Sequence, residues 1–306
     1  MILSLSNRFA TAYRGLVSPD SQTLTSVQSE ILDELQATRQ TQAEILEQLK
    51  QLERLSEQLE RLRVQDREQQ LVRWREIGDL RGFAWQIYSQ NGEDGILLEI
   101  FRRIGTTNCF FVEFGVESGV QCNTRYFVEY KDWSGLYFEA RESDLQKLRE
   151  MWKDKPKIQA QLACVTSSNF EQLLREFDVP VELDLLSIDI DSNDYWVWKS
   201  LETWKPRVVV IEYNSFHNPP AKWVMKEDLN FQWDQTTYFG ASFTSLCLLG
   251  RAKGYTPVGT DPNGINLFFV RNDCMNEQFV DAEIHYLFQP FAYTRPPTGS
   301  GPFEEI

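Results

Sequence analysis

The stretch Phe110-Phe111-Val112-Glu113-Phe114-Gly115-Val116-Glu117-Ser118-Gly119 limits the choice of fold more than any other. An apolar run closes on an acid, and two glycines follow ahead of a helix-compatible segment. A buried parallel strand that turns into a helix over a small-molecule site reads this way. Gly115 allows a tight turn or a close approach by a ligand, and Glu113 stands at the strand's carboxyl end. Such a Gly-x-x-x-Gly turn recurs in many α/β proteins, so the segments around it decide.

Those segments alternate. Ile96, Leu97, Ile100, Phe101 and Ile104 have helical spacing, with Glu93 and Asp94 in the first turn, where carboxylates suit the helix dipole. Further helices are predicted over 122–131, 143–152, 168–177 and 193–201, between strands over 135–139, 158–165, 183–190 and 207–213. Five strands separated by helices predict an α/β, Rossmann-like, doubly wound sheet. A long stretch, 214–240, rich in Trp, Tyr and Asn, then reads as a lid or binding loop. A helix over 241–253 and strands over 255–259 and 265–270 follow, the strands joined through Asp261-Pro262-Asn263-Gly264, a hairpin turn. The expected sheet is therefore seven-stranded and mostly parallel. The tail, 281–306, is aromatic and then Pro/Gly-rich; it is expected to drape over the 81–280 domain, with a mobile end.

Ahead of this domain the composition differs. Residues 1–20 carry no pattern and read as an arm. Over 21–80, Gln, Glu, Leu and Arg dominate. Ile31, Leu35, Thr38, Gln42, Ile45, Leu49, Leu52, Ser56 and Leu59 fall at alternating spacings of four and three, the seam of a coiled coil. Leu55 and Leu62 offer a shifted register after Leu52, as a stutter would. A helix this long must cover its stripe, either by self-association into a homo-oligomer or by folding back on the domain.

A net charge of −14 argues against a general affinity for nucleic acid or anionic membrane. Five scattered cysteines read as reduced thiols rather than a disulfide or zinc framework. No run approaches a membrane span or a signal peptide, so the cytoplasm is the expected compartment.

The chemistry concentrates at strand ends. Glu113, Glu139, Asp189 and Glu212 each close a predicted strand, so one rim of the sheet should gather them. Glu139 lies 24 residues beyond Gly115, near the ~20-residue offset at which an acid meets a ribose diol. Asp189, Asp191 and Glu212 offer the oxygen donors that Mg²⁺ or Ca²⁺ prefers, although Asp191-Ser192-Asn193 also reads as a helix N-cap. His217, just beyond the fifth strand, is a candidate general base. Trp223, Trp233, Tyr238 and Phe239 either line an acceptor pocket or anchor the long loop.

Four segments together resemble the FkbM-type methyltransferases: Tyr88-Ser89-Gln90-Asn91-Gly92-Glu93-Asp94, Val112-Glu113-Phe114-Gly115, Trp133-Ser134-Gly135-Leu136-Tyr137-Phe138-Glu139, and Leu186-Ser187-Ile188-Asp189-Ile190-Asp191. The likeness spans 85–271 and omits the helical arm. It implies a class I enzyme that uses S-adenosylmethionine. Ser89, Gln90, Glu93 and Asp94 would pack over the methionine end of the cofactor, with Glu113 and Gly115 beside it. Glu139 would hold the ribose hydroxyls, and Asp189 would sit beside the methyl group. Two departures stand out: Glu117 replaces a middle glycine, and Asp191-Ser192-Asn193-Asp194 stands where many relatives carry a Glu-Gly pair. The expected activity is O-methylation of a sugar or other hydroxylated small molecule, with Asp189, Asp191 and His217 as catalytic candidates and Mg²⁺ as the candidate metal. The alternative is a coiled-coil scaffold whose domain binds a nucleotide-type ligand without catalysis. NAD is disfavoured, because the Gly-x-Gly-x-x-Gly phosphate loop is missing.

Overall fold

The computed structural model describes residues 21–279 and 284–306; the arm expected over 1–20 lies outside them. Two compact units divide between Arg67 and Glu68. Most of the long helix α1, Ser21–Glu76, belongs to the first. Its sequence holds no Gly or Pro and is rich in strong helix formers, so propensity favours it throughout. Leu35, Ile45, Leu49, Leu52 and Leu59 on its seam are 51–62% exposed.

The second unit begins with the last turns of α1. Then come α2 (Glu93–Ile104), β1 (Phe110–Phe114), α3 (Arg125–Tyr130), β2 (Ser134–Glu139), α4 (Glu142–Met151) and β3 (Ile158–Leu162). Next are α5 (Phe170–Glu176), β4 (Leu185–Ile188), α6 (Asp194–Ser200), β5 (Val208–Glu212) and β6 (Trp223–Met225). The chain closes with α7 (Phe243–Ala252), β7 (Tyr255–Thr260), β8 (Asn266–Arg271), α8 (Ile284–Leu287) and β9 (Phe303–Glu305). Seven strands form one sheet in the order β3-β2-β1-β4-β5-β8-β7. The first five strands run parallel, and β8 runs antiparallel to both its neighbours. The sheet is therefore mostly parallel and doubly wound, as the alternation predicts.

Apolar side chains leave both sheet faces, which is why β1 and β5 read as continuous apolar runs. Val112, Leu186, Val209 and Trp198 anchor one core; Phe111, Tyr137, Val210 and Ile100 anchor the other. The hairpin joining β7 to β8 is pinned by Asp261, whose carboxylate accepts the N–H groups of Asn263 at 2.7 Å and Ile265 at 2.9 Å, and that of Asn266. At the amino ends of the strands, Asp184 accepts the N–H groups of Thr107, Asn108 and Cys109 and pairs with Arg207 at 2.7 Å.

The tail departs from expectation. Its end, expected to be mobile, pairs as β9 with β6 in a second, antiparallel sheet. Phe303 stacks on Trp223, and the Tyr238 hydroxyl donates to the Pro302 carbonyl at 2.7 Å, so the long loop and the tail hold each other. Among the described residues no helix is long and apolar enough to cross a membrane.

β1 lies between β2 and β4, and the chain departs from it in opposite directions on its two sides. In doubly wound sheets this switch point opens a crevice at the carboxyl ends of the strands.

Candidate functional site

The chain turns immediately after β1. Gly115 has φ +80°, and a Cβ there would lie 1.4 Å from the Asp189 carbonyl oxygen. Only glycine fits, because the turn after β1 touches the turn after β4 backbone to backbone. Glu117 has φ +50°, in the left-handed region that favours glycine. Its carboxylate meets Arg141 at 3.2 Å. The departure from glycine at this position thus keeps the glycine-like conformation.

Beside these turns lies a cavity of about 510 Å³, the size of a small-molecule site. Among the described residues six acids line it, Glu93, Glu113, Glu117, Asp189, Asp191 and Glu212, and no lysine or arginine does. Phe216, Trp233, Phe239, Phe291 and Tyr293 supply an aromatic wall.

The fold brings Gln90, Glu93, Glu113, Gly115, Asp189, Asp191 and Glu212 together at this cavity, but not the remaining candidates. Ser89 and Asp94 hold their own loop, with Asp94 Oδ1 left buried and without a partner. Asp94 Oδ2 accepts the N–H groups of Ile87, Tyr88 and Ser89 at 2.7–3.0 Å, and the Ser89 hydroxyl accepts that of Asp94. Glu139 follows Phe138, which pairs with Phe114, so it reaches the same rim as Gly115. Its Oε1 accepts the Arg141 N–H at 2.9 Å, and the side chain stands outside the cavity wall. His217, expected as a general base, is stacked on Trp223 with ring centroids 4.1 Å apart and does not line the cavity. Burial lowers its pKa. Of the four loop aromatics, Trp233 and Phe239 line the cavity, whereas Trp223 and Tyr238 anchor the loop and tail.

Apart from Glu117, which meets Arg141, the lining acids fall into two groups. Glu93 and Glu113 are satisfied by their own chain. Glu93 accepts from Asn91 N–H, Asn91 Nδ2 and Asn266 Nδ2 at 2.7–2.9 Å. Glu113 accepts from the N–H groups of Asn123 and Thr124, the Thr124 hydroxyl at 2.5 Å and the Ser187 hydroxyl. Burial still pushes Glu113 up to about 7. These two acids hold the wall in shape.

The other group is unpaired. Asp189, Asp191 and Glu212 each present a carboxylate oxygen, and these oxygens lie within 4.8 Å of one another. Of the stretch Asp191-Ser192-Asn193, Asn193 stands at the N-cap of α6 without a side-chain cap hydrogen bond, and Asp191 does not cap the helix. Asp194 turns back to accept the N–H groups of Ile190 at 2.8 Å and Ser192 at 2.9 Å, which leaves Asp191 free to face the cavity. Burial, reinforced by Asp194 and Glu117, lifts Asp191 to about 6. Burial and then the neighbouring acids hold Asp189 and Glu212 well above the usual carboxylate range.

Asn266, Phe291 and Tyr293 escaped the sequence reading. The Tyr293 hydroxyl donates to Asn91 Oδ1 at 2.7 Å and so ties the tail to the segment before α2. The one signal was an aromatic run, Phe288 to Tyr293, in an otherwise Pro/Gly-rich tail.

No family model matches the chain, and no curated protein matches it. Partial likenesses to solved structures exist. One is the citrinin polyketide synthase CMeT domain, at 13% identity and TM-score 0.38, covering 59% of this chain and 51% of that one. A second is the N-terminal domain of EvdMO1 in the presence of SAH and D-fucose, at 12% identity and TM-score 0.39, covering 67% and 96%. A third is the CurJ carbon methyltransferase, at 8% identity and TM-score 0.39, covering 60% and 56%. The chain thus spans about half the length of the first and third of these. Likenesses this distant assign no family.

Proposed function

We propose that the second unit binds S-adenosylmethionine and methylates an oxygen of a sugar or other hydroxylated small molecule. The observation that carries this reading is the cavity's charge: among the described residues, six carboxylates and no lysine or arginine, at the switch point of a doubly wound sheet. A pyrophosphate would need the backbone amides of a glycine-rich loop or a basic side chain, and this wall supplies neither. A phosphate-free cofactor with a sulfonium and an ammonium suits such a wall. Its donors also suit two buried acceptors of the cavity that lack partners, Glu212 Oε2 and Asn266 Oδ1. The resemblance to FkbM-type enzymes points the same way.

S-adenosylmethionine supplies a methyl group on positively charged sulfur, so the protein must orient the partners and remove a proton from the acceptor oxygen. Glu93 and Glu113 keep the wall rigid, and Glu139 stands at the rim for the ribose hydroxyls. Phe216, Trp233 and Phe291 offer flat apolar faces for an acceptor. The proton leaves by the rim acids, directly to Asp189 or Asp191; were Mg²⁺ bound, these two and Glu212 would hold it, and it would make the acceptor hydroxyl more acidic.

Calorimetry tests the assignment. S-adenosylmethionine or its demethylated product should release heat on binding and NAD should not; no heat with either would favour the scaffold. Glu139→Ala should weaken cofactor binding by roughly 1–3 kcal/mol, the value of a lost charged acceptor. Unchanged affinity would remove Glu139 from the site.

We also propose that α1 pairs with copies of itself. Its seam keeps heptad spacing over residues 31–59, and Leu35, Ile45, Leu49, Leu52 and Leu59 on it are more than half exposed. Light scattering should find an oligomer for the full chain and a monomer for Leu49→Asp/Leu52→Asp. A monomeric parent chain would end this reading.

A further inference from the structure

We infer that the second unit carries another binding site, for a small amphipathic anion, an aryl or medium-chain carboxylate. It stands apart from the acidic cavity and from the function proposed there. A cavity of about 770 Å³ opens where the last turn of α1, one face of α2 and the end of α3 meet. That volume is within the range of small-molecule sites. The cavity shares no lining residue with the acidic one.

Its apolar part is aromatic. Phe101, Phe127 and Trp133 form the floor, packed with ring centroids 4.6–5.7 Å apart. Phe83 and Trp85 stand beside them. Trp85 is 59% exposed, yet its backbone is fixed. Its N–H donates to the Gly92 carbonyl at 3.2 Å, and its own carbonyl accepts the Gly95 N–H at 3.1 Å. A Cβ on Gly95 would lie 2.6 Å from the Trp85 nitrogen, so this close seat needs glycine. A bare indole on a rigid backbone, beside an aromatic floor, offers a guest apolar area at little entropic cost.

The charge at this cavity opposes that of the whole chain. Among the described residues Arg75, Arg102 and Lys131 line it, against one acid, Glu99. Glu99 is already taken by Arg102 at 2.7 Å and Arg103 at 2.8 Å. Arg75 and Lys131 have no carboxylate partner among the described residues. Arg75 Nε donates to the Gly82 carbonyl at 2.9 Å, and Lys131 Nζ lies 6.0 Å from the Tyr126 ring centroid. The cations are not needed to cap α2 and α3, because the N–H groups of Gly105 and Lys131 already reach the Phe101 and Phe127 carbonyls. Cations beside an aromatic hollow suit an apolar body that ends in one carboxylate. The net charge of −14 decides the size of the guest. An anionic membrane or an acidic protein would meet repulsion from the whole chain, whereas one small anion responds to charges within about 10 Å.

The test titrates anilinonaphthalene sulfonate, an amphipathic anion, into the full chain and follows the probe's own emission. One bound probe per chain is expected. Naphthoate or dodecanoate should displace it, and the corresponding neutral alcohols at least about tenfold less well. The better competitor of the two acids tells an aryl guest from a chain-like one. Lys131→Glu and Trp85→Ala, both at exposed side chains, should each weaken binding at least about tenfold. Lys153→Glu makes the same charge change at a lysine paired with Glu150 and should bind as the parent does. Displacement by the demethylated cofactor, equal displacement by acid and alcohol, or affinity that both variants leave intact overturns the site. No binding by the parent up to about 1 mM probe does so too. Binding seen only with Leu49→Asp/Leu52→Asp also overturns it, since a second copy of the chain would then cover this face. The demethylated cofactor titrated alone reports on the acidic cavity, so either reading can fail without the other.

Discussion

Gly115→Ala is expected to destabilise the second unit by at least about 3–5 kcal/mol, enough to unfold many domains outright. Two costs coincide at this residue. A φ of +80° is one that a side chain rarely adopts, worth about 1–2 kcal/mol for alanine. The added methyl would also sit 1.4 Å from the Asp189 carbonyl oxygen, so the turns after β1 and β4 would have to part. Overpacking against backbone relaxes poorly, unlike overpacking against a mobile side-chain tip. Gly254 separates the two costs: it has φ +84° but nothing within 4 Å of its Cβ position. Gly254→Ala should therefore lose only about 1–2 kcal/mol. Urea unfolding followed by circular dichroism compares the two variants. Equal losses would mean that the approach of Gly115 to Asp189 contributes nothing to stability.

That contact also shows how far a sequence can be read. Gly115 was legible as a tight position, but its neighbour was not, because a strand of five residues does not name the strand beside it. The five parallel strands were legible because both their faces are buried, which leaves apolar runs such as Val208-Val209-Val210-Ile211. Acids at strand ends were legible as a class. Their separate fates were not: Glu113 is saturated by Asn123 and Thr124, while Glu212, in the same kind of place, keeps a bare oxygen. Which donors reach a carboxylate depends on loops far off in the chain. Tyr293 and Asn91, joined across the cavity, stand 202 residues apart. His217 misled for the same reason. Its position just past β5 suggested the rim, but stacking on Trp223 turns it away, and that loop's path is set by its pairing with the tail.

The two edges of the sheet should respond oppositely to the loss of an acid. At the amino edge, Asp184 is fully buried, accepts three backbone N–H groups and the Thr107 hydroxyl, and pairs with Arg207. Asp184→Ala would leave those donors and a buried guanidinium unmatched, at a cost of about 3–5 kcal/mol. At the carboxyl edge, Asp191 has no hydrogen-bond or ion-pair partner among the described residues, and its pKa rises from 3.8 to about 6. A raised carboxyl pKa means that the folded chain holds its proton more tightly than the unfolded chain does. The stabilisation is complete below pH 4 and disappears as pH climbs through 6. Glu113 and Asp261, both pushed up to about 7, act in the same direction. The ligand-free protein should therefore be more stable at pH 5 than at pH 8. Asp191→Asn removes one of these charges, and asparagine tolerates the left-handed backbone at this position. It should gain up to about 3 kcal/mol at pH 8 and converge with the parent near pH 4. The Asp184→Ala deficit should persist across pH 5–8, because Arg207 stays charged throughout. Thermal unfolding at pH 5 and pH 8 without added ions distinguishes these cases. A loss of stability for Asp191→Asn at pH 8 would mean that the carboxyl rim is already satisfied within the chain, and so has no call for a positively charged ligand.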